Sequence, residues 1–275
     1  YPAASRYLEN ALESGAFAGT ETERQARNYV ALSAFYQQKD DAAHLLEAYA
    51  EEYPYAANIE QVQLYIGILE LEAGKNKPAL NRFEKISISD LDKSDAQALQ
   101  YYRGVAYSKQ EKYDKAAYEL GSLLKQGAGT YQEAATYYYG YAQYQLGNYK
   151  EALSSLKKVE DNPTYKQHVP YLVCQLYFLN NNCEKATEYG KKLLNEQPVG
   201  SKSEKKKIER QKTEIMRIVG TCAFRSGNYQ EAVTQLEAYQ KQAKRISRED
   251  WYLLGIAYYN IEKYSNAADG TAHRQ

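Results

Sequence analysis

Apolar and polar positions alternate along the chain with helical spacing, in runs parted by short polar turns. One alanine keeps the beat: Ala4, Ala42, Ala79, Ala116, Ala152, Ala186, Ala232 and Ala267. Successive intervals are 38, 37, 37, 36, 34, 46 and 35 residues, a near-constant period with one enlarged unit. Twelve residues before the alanine stands a small residue, Gly67, Gly104, Gly140, Cys174, Gly220 or Gly255, with Val30 as the exception. Three residues before it comes Tyr1, Tyr113, Tyr149, Tyr229 or Tyr264. Four residues after it comes Leu8, Leu46, Phe83, Leu120, Leu156 or Leu236, while Gly190 departs from the rule.

This pattern predicts a repeated pair of antiparallel helices. The small residue of the first helix is expected against the alanine of the second, where lack of bulk permits close approach. The tyrosine opens the second helix. Leu146-Gly147-Asn148-Tyr149 and Ser226-Gly227-Asn228-Tyr229 supply the turns, because glycine and asparagine accept the left-handed conformation that ends a helix. Pro2 and Pro78 fit a first helical turn, and Pro54 and Pro198 close two repeats after the second helix.

With these residues in view the chain resembles the tetratricopeptide repeat family. Its clearest unit is Trp251-x-x-Leu254-Gly255-x-x-Tyr258, followed by Tyr264 and Ala267; Gly104 with Tyr107, Tyr113 and Ala116 is another, and Gly140 with Gly147, Asn148, Tyr149 and Ala152 a third. The resemblance covers essentially the whole chain. It departs at Val30, and at Cys174 and Cys183, which replace glycine and tyrosine. It implies an all-α fold, a right-handed superhelical solenoid of antiparallel helix pairs. Counting back from the alanines places repeats at 23–59, 60–96, 97–132, 133–166, 167–212 and 213–247, with a second helix alone in 1–22 and an incomplete repeat in 248–275. After Ala268 no helical apolar pattern continues. Uncapped ends would expose apolar faces, so self-association there, or a longer parent protein, is an expectation.

Composition narrows the reading. Charged residues make up 25% of the 275, hydrophobic ones 44%, and 35 basic side chains balance 35 acidic ones. A zero balance disfavours a general grip on nucleic acid or acidic membranes. No stretch is long and apolar enough to span a bilayer. Tyrosine, 30 copies against five phenylalanines, carries the aromatic packing. Cys174, Cys183 and Cys222 are odd in number and lack CxxC spacing, so buried structural thiols are the expectation and the redox compartment is left open. The tyrosine-rich, lysine- and asparagine-bearing style is similar to bacterial repeat proteins, some of the periplasm or cell envelope; the cytoplasm stays open.

Chemistry is sparse. His44, His168 and His273 fall in separate repeats, which argues against a shared metal site or triad. No HExxH, GxSxG or P-loop is present. Gly127-Ala128-Gly129-Thr130 reads as an inter-repeat turn, and Asp40-Asp41 and Glu51-Glu52 as capping or surface carboxylates. No catalytic residue, metal or cofactor is expected, and the chain is read as a non-enzyme.

Binding is the alternative. In the family the first helices line the concave face, and helical spacing selects residues four, eight and eleven into each repeat. The selection gives Tyr101, Tyr137, Tyr141 and Tyr144, then Tyr171, Phe178, Phe224, Tyr252 and Tyr259; the earlier repeats give Arg27, Leu64, Ile68 and Leu71. Tyrosine joins a large apolar ring to a hydrogen-bonding tip, which suits recognition of another chain. These rings equally fit packing between neighbouring first helices. The family's basic carboxylate clamp is not matched, since Ala31, Tyr65 and Tyr101 stand at its positions. The enlarged interval carries a basic insert, 201–212, whose Lys202, Lys205, Lys206, Lys207, Arg210 and Lys212 suit either solvent or an acidic partner. A protein or peptide partner held in an aromatic groove is the first reading; a carbohydrate or small-ligand binder and a structural spacer in a larger assembly are the alternatives.

Overall fold

The computed structural model describes residues 2–15, 17–197 and 200–272, with side chains described as far as 262. Tyr1, Pro198, His273 and the side chains of Tyr264 and Ala267 lie outside the described residues. The described residues hold fourteen α-helices and no strand. Two compact units divide the chain, 1–142 and 143–275, with the boundary inside one helix.

Unit 1 contains α1 (Pro2–Glu13), α2 (Glu21–Tyr36), α3 (Ala42–Glu52), α4 (Ile59–Glu72), α5 (Asn76–Phe83), α6 (Lys93–Lys109), α7 (Tyr113–Gln126) and most of α8 (Gln132–Gln145). Each first helix, α2, α4 or α6, packs against its own second helix and, for α4 and α6, against each other. The connecting turns need one left-handed residue. Gly74 supplies it before α5 with φ 78°, and Gln38 and Glu111 take the same region at 53° and 57° although they carry side chains.

The glycines meet a different neighbour from the one expected. A Cβ on Gly67 would lie 2.5 Å from the Phe83 ring, and one on Gly104 would lie 2.6 Å from Leu120 Cγ. The repeated alanine is buried nearby, but the void at glycine is filled by the large residue one turn further along the second helix. Gly220 faces Leu236 in the same way, at 2.8 Å, in unit 2. The unit 1 core is built on fully buried Leu46, Leu64, Ile66, Phe83 and Leu99. A buried ion pair, Arg103 to Glu119 at 2.9 Å, ties α6 to α7.

Unit 2 contains the end of α8, α9 (Tyr149–Leu156), α10 (Val169–Leu179), α11 (Cys183–Asn195), α12 (Lys202–Arg225), α13 (Tyr229–Gln242) and α14 (Arg248–Ala272). Here the enlarged interval resolves into geometry: the basic insert is the N-terminal extension of α12, a 24-residue helix opened by a Ser201–Glu204 capping box. Cys183 and Cys222 form a disulfide joining α11 to α12, with Cα atoms 5.2 Å apart. The expectation of three buried thiols is therefore corrected for two of them. The remaining thiol, Cys174, donates to the Ala186 carbonyl at 3.3 Å, and burial pushes it up to about 12.

A second correction concerns the last repeat. α14 runs unbroken through Ala272, past the turn and the end of helical pattern expected there.

Candidate functional site

A polar–aromatic cluster lies in unit 1, where α2, α4 and α6 meet. Asp95, the third residue of α6, is 7% exposed. Its two carboxylate oxygens accept from Tyr65 Oη at 2.8 Å and from Gln61 Nε2 at 2.6 Å, both on α4. With the Tyr65 hydrogen committed to Asp95, Tyr36 at the end of α2 donates to Tyr65 at 2.6 Å. Phe35 lies flat on Tyr65, ring centroids 4.3 Å apart. Burial, then the hydrogen bonds of Tyr36 and Asp95, holds the Tyr65 phenol well above the ordinary tyrosine range.

A second aromatic group lies beside it. Tyr131 stacks on Tyr101 at 4.6 Å and meets Tyr102 edge-on at 5.9 Å. Burial raises Tyr131, with Asp95 and Tyr36 adding to the shift, and burial pushes Tyr102 up to about 12. Asp95, Tyr36 and Gln61 were not selected from the sequence. Tyr36 ends its helix while Gln61 and Asp95 lie in the first turns of theirs, so they align across repeats and escape a fixed offset within one.

The selected groove residues divide. Tyr101 is half-buried and engaged as described. Tyr137 stacks on Tyr141 at 6.4 Å, and Tyr141 meets Tyr113 on α7 at 6.1 Å, so this offset turns toward the preceding second helix. In unit 2, Tyr144 lies 6.2 Å from Tyr149 and Phe224 lies 5.7 Å from Tyr229, each packing on the tyrosine that opens its own second helix. Tyr171 is a core residue at 5% exposure, and Leu64, Ile68 and Leu71 are buried as well; these four are corrected from groove to core. Phe178 sits beneath two guanidinium groups, Arg225 at 4.9 Å and Arg217 at 5.9 Å. Tyr252 and Tyr259 are exposed on α14 beside Trp251 and Tyr258.

Within the basic insert Lys202, Lys205, Lys206, Lys207 and Arg210 are exposed. Lys212 is not. It is buried, and its ammonium donates to the carbonyls of Leu194 (3.0 Å) and Glu196 at the end of α11, which removes it from any partner-facing set. Arg210 lines an open concavity of about 480 Å³ with Lys244 and Arg245.

The balanced total charge conceals an uneven one. Residues 1–142 carry 14 basic against 20 acidic side chains, net −6, and residues 143–275 carry 21 against 15, net +6. Among the described residues no group of three or more His, Cys, Asp or Glu is placed to hold a metal. No helix among them is long and apolar enough to cross a membrane.

Two family models described as tetratricopeptide repeat match the chain, one over residues 66–132 and 219–272 and the other over 134–164. No curated protein matches it in sequence. Among solved structures it is similar to YrrB, described as a TPR protein with an unusual peptide-binding site, at TM-score 0.55 and 16% identity over 79% of this chain and 100% of that one. MamA from AMB-1 matches at TM-score 0.53 and 16% identity, covering 67% of this chain and 99% of that one. MamA from MSR-1 does so at 0.52 and 14%, over 67% and 96%. At these identities the likeness is one of fold.

Proposed function

Because the chain belongs to the tetratricopeptide repeat family, we propose that it is a non-enzymatic protein-interaction scaffold that holds a segment of a partner protein on the first-helix face of unit 1. The observation that carries the reading is the line of hydroxyls and carboxylate from Tyr36 through Tyr65 to Asp95, which crosses three successive first helices and starts at a ring 62% exposed. A line that crosses repeats matches a partner segment that crosses them too. Amphipathic tyrosines supply apolar area together with hydrogen-bonding tips at low entropic cost. YrrB, whose fold is similar, is described as having a peptide-binding site, which supports the reading.

The test is capture of labelled peptides by the full chain, compared with a Tyr36→Ala, Tyr102→Ala variant of unchanged helicity. Binding by the parent that weakens about tenfold or more in the variant supports this face. Equal binding by both moves the contact elsewhere. Binding blocked by free oligosaccharide in place of unlabelled peptide would replace the reading with a carbohydrate-binding one.

A further inference from the structure

Asp95 has no cation of its own. Among the described residues no lysine, arginine or histidine lies within ion-pair distance of it; its partners are the neutral Tyr65 and Gln61. Among the described residues the other buried carboxylates differ: Glu119 has Arg103 at 2.9 Å, and Asp250 has Arg217 at 3.9 Å. Asp95 is stabilised instead by its place in the first turn of α6, where the helix favours an anion. Its compensation comes from that helix end and from two neutral donors.

The surroundings suit a cation. Tyr36 meets Tyr65 edge-on at 5.7 Å, Tyr131 stacks on Tyr101 at 4.6 Å with Asp95 near enough to act on its phenol, and a ring face attracts a positive group through its quadrupole. The charged groups that act on the phenols of Tyr65, Tyr102 and Tyr131 are Asp95 and Glu72, both acidic. The whole unit carries net −6. Unit 2 has the opposite character: its Phe178 is already covered by Arg217 and Arg225, so the aromatic position there is occupied by the protein's own cations.

We infer that unit 1 recognises its partner segment through a cationic side chain, a lysine or arginine that reaches Asp95 between the Tyr36–Tyr65 pair and the Tyr131 ring. The inference rests on the peptide-binding reading of this face and adds the charge of the residue that is read. Tyr36 is exposed and Gln61 partly so, while Tyr65 and Asp95 are 4% and 7% exposed. A guanidinium would use both carboxylate oxygens, displacing the Gln61 amide from one of them.

Four pools of labelled peptides, degenerate except for a fixed central lysine, arginine, norleucine or glutamate, are titrated with the full chain. The lysine and arginine pools should bind about tenfold tighter than the norleucine pool, and the glutamate pool weakest. Asp95→Asn should abolish the preference of the lysine and arginine pools over the norleucine pool. Should that variant lose helicity, Tyr36→Ala, at an exposed ring, decides: it should reduce lysine and arginine binding several-fold more than norleucine binding. Equal affinity for all four pools, or preference for glutamate, overturns the inference and leaves peptide binding standing. Failure of every pool to bind overturns both.

Discussion

Tyr65 donates its phenolic hydrogen to the Asp95 carboxylate at 2.8 Å, joining α4 to α6 across the seam between two repeats. In a stack of repeats such a seam is where stability passes from one unit to the next, because each repeat contacts only its neighbours. Both partners are over nine-tenths buried, so the bond has no water to replace it.

Tyr65→Phe keeps the ring that stacks on Phe35 and removes only the hydroxyl. The carboxylate then retains Gln61 alone, and Tyr36 loses its acceptor. The expected cost is about 1.5–3 kcal/mol, the range for a hydrogen bond to a charged group. Urea unfolding of the parent and the variant measures it. In an Asp95→Asn background the same change should cost less, and a double-mutant cycle with no coupling would show that the seam does not depend on this pair.

The glycine contacts predict opposite outcomes for one substitution. Gly67→Ala places a methyl 2.5 Å from the Phe83 ring and should destabilise by about 1–3 kcal/mol through overpacking. Gly255, also helical, has nothing within 4 Å of a built Cβ. There alanine should be neutral or gain up to about 1 kcal/mol, because it forms helix more readily than glycine. Thermal unfolding of the two single variants decides whether the recurring small residue is required by packing at one site and idle at the other.

The repeat, its turns and its all-α class were legible because each depends on residues at fixed offsets within one period. Gly147 and Gly227, read as turn formers, do take the left-handed region, at 79° and 76°. The binding face was legible only in part, for the same reason. Tyr36, Tyr65 and Asp95 occupy three different phases of their helices, and a fixed offset carried from repeat to repeat passes over them. That offset instead selected Tyr171 and Leu64, which point to the core. Cys183 and Cys222 stand 39 residues apart, a separation with no signature until α11 is laid against α12. The opposed charges of the two units cancel in any count over the whole chain.

The disulfide gives unit 2 a stability that depends on redox state. Closing a loop of 39 residues is worth about 4 kcal/mol on the chain-entropy model. Reduction, or Cys183→Ser, should therefore expose unit 2 to proteolysis at lower denaturant while unit 1 fragments persist. Cys174, buried and with its thiol pushed up to about 12, should stay unmodified by alkylating reagent until unit 2 unfolds. Alkylation of Cys174 in the native, oxidised protein would contradict its placement.

Tyrosine also sets how the fold meets alkali. Burial, the largest cause in each, pushes Tyr102, Tyr107, Tyr171 and Tyr189 up to about 12, from an ordinary value of 10.0. A raised value means that the folded state holds the proton more tightly than the unfolded chain does. Their contribution to stability is complete below about pH 10, where both states are protonated, and is lost as pH rises from there through about 12. The chain should therefore unfold cooperatively within that window, with phenolate absorbance and loss of helical circular dichroism rising together. Tyr171→Phe removes one titrating group from the core with the ring left in place, and should move the transition to higher pH. A variant that unfolds at the same pH as the parent would show that Tyr171 ionises without opposing the fold, and would return the alkaline limit to the remaining three.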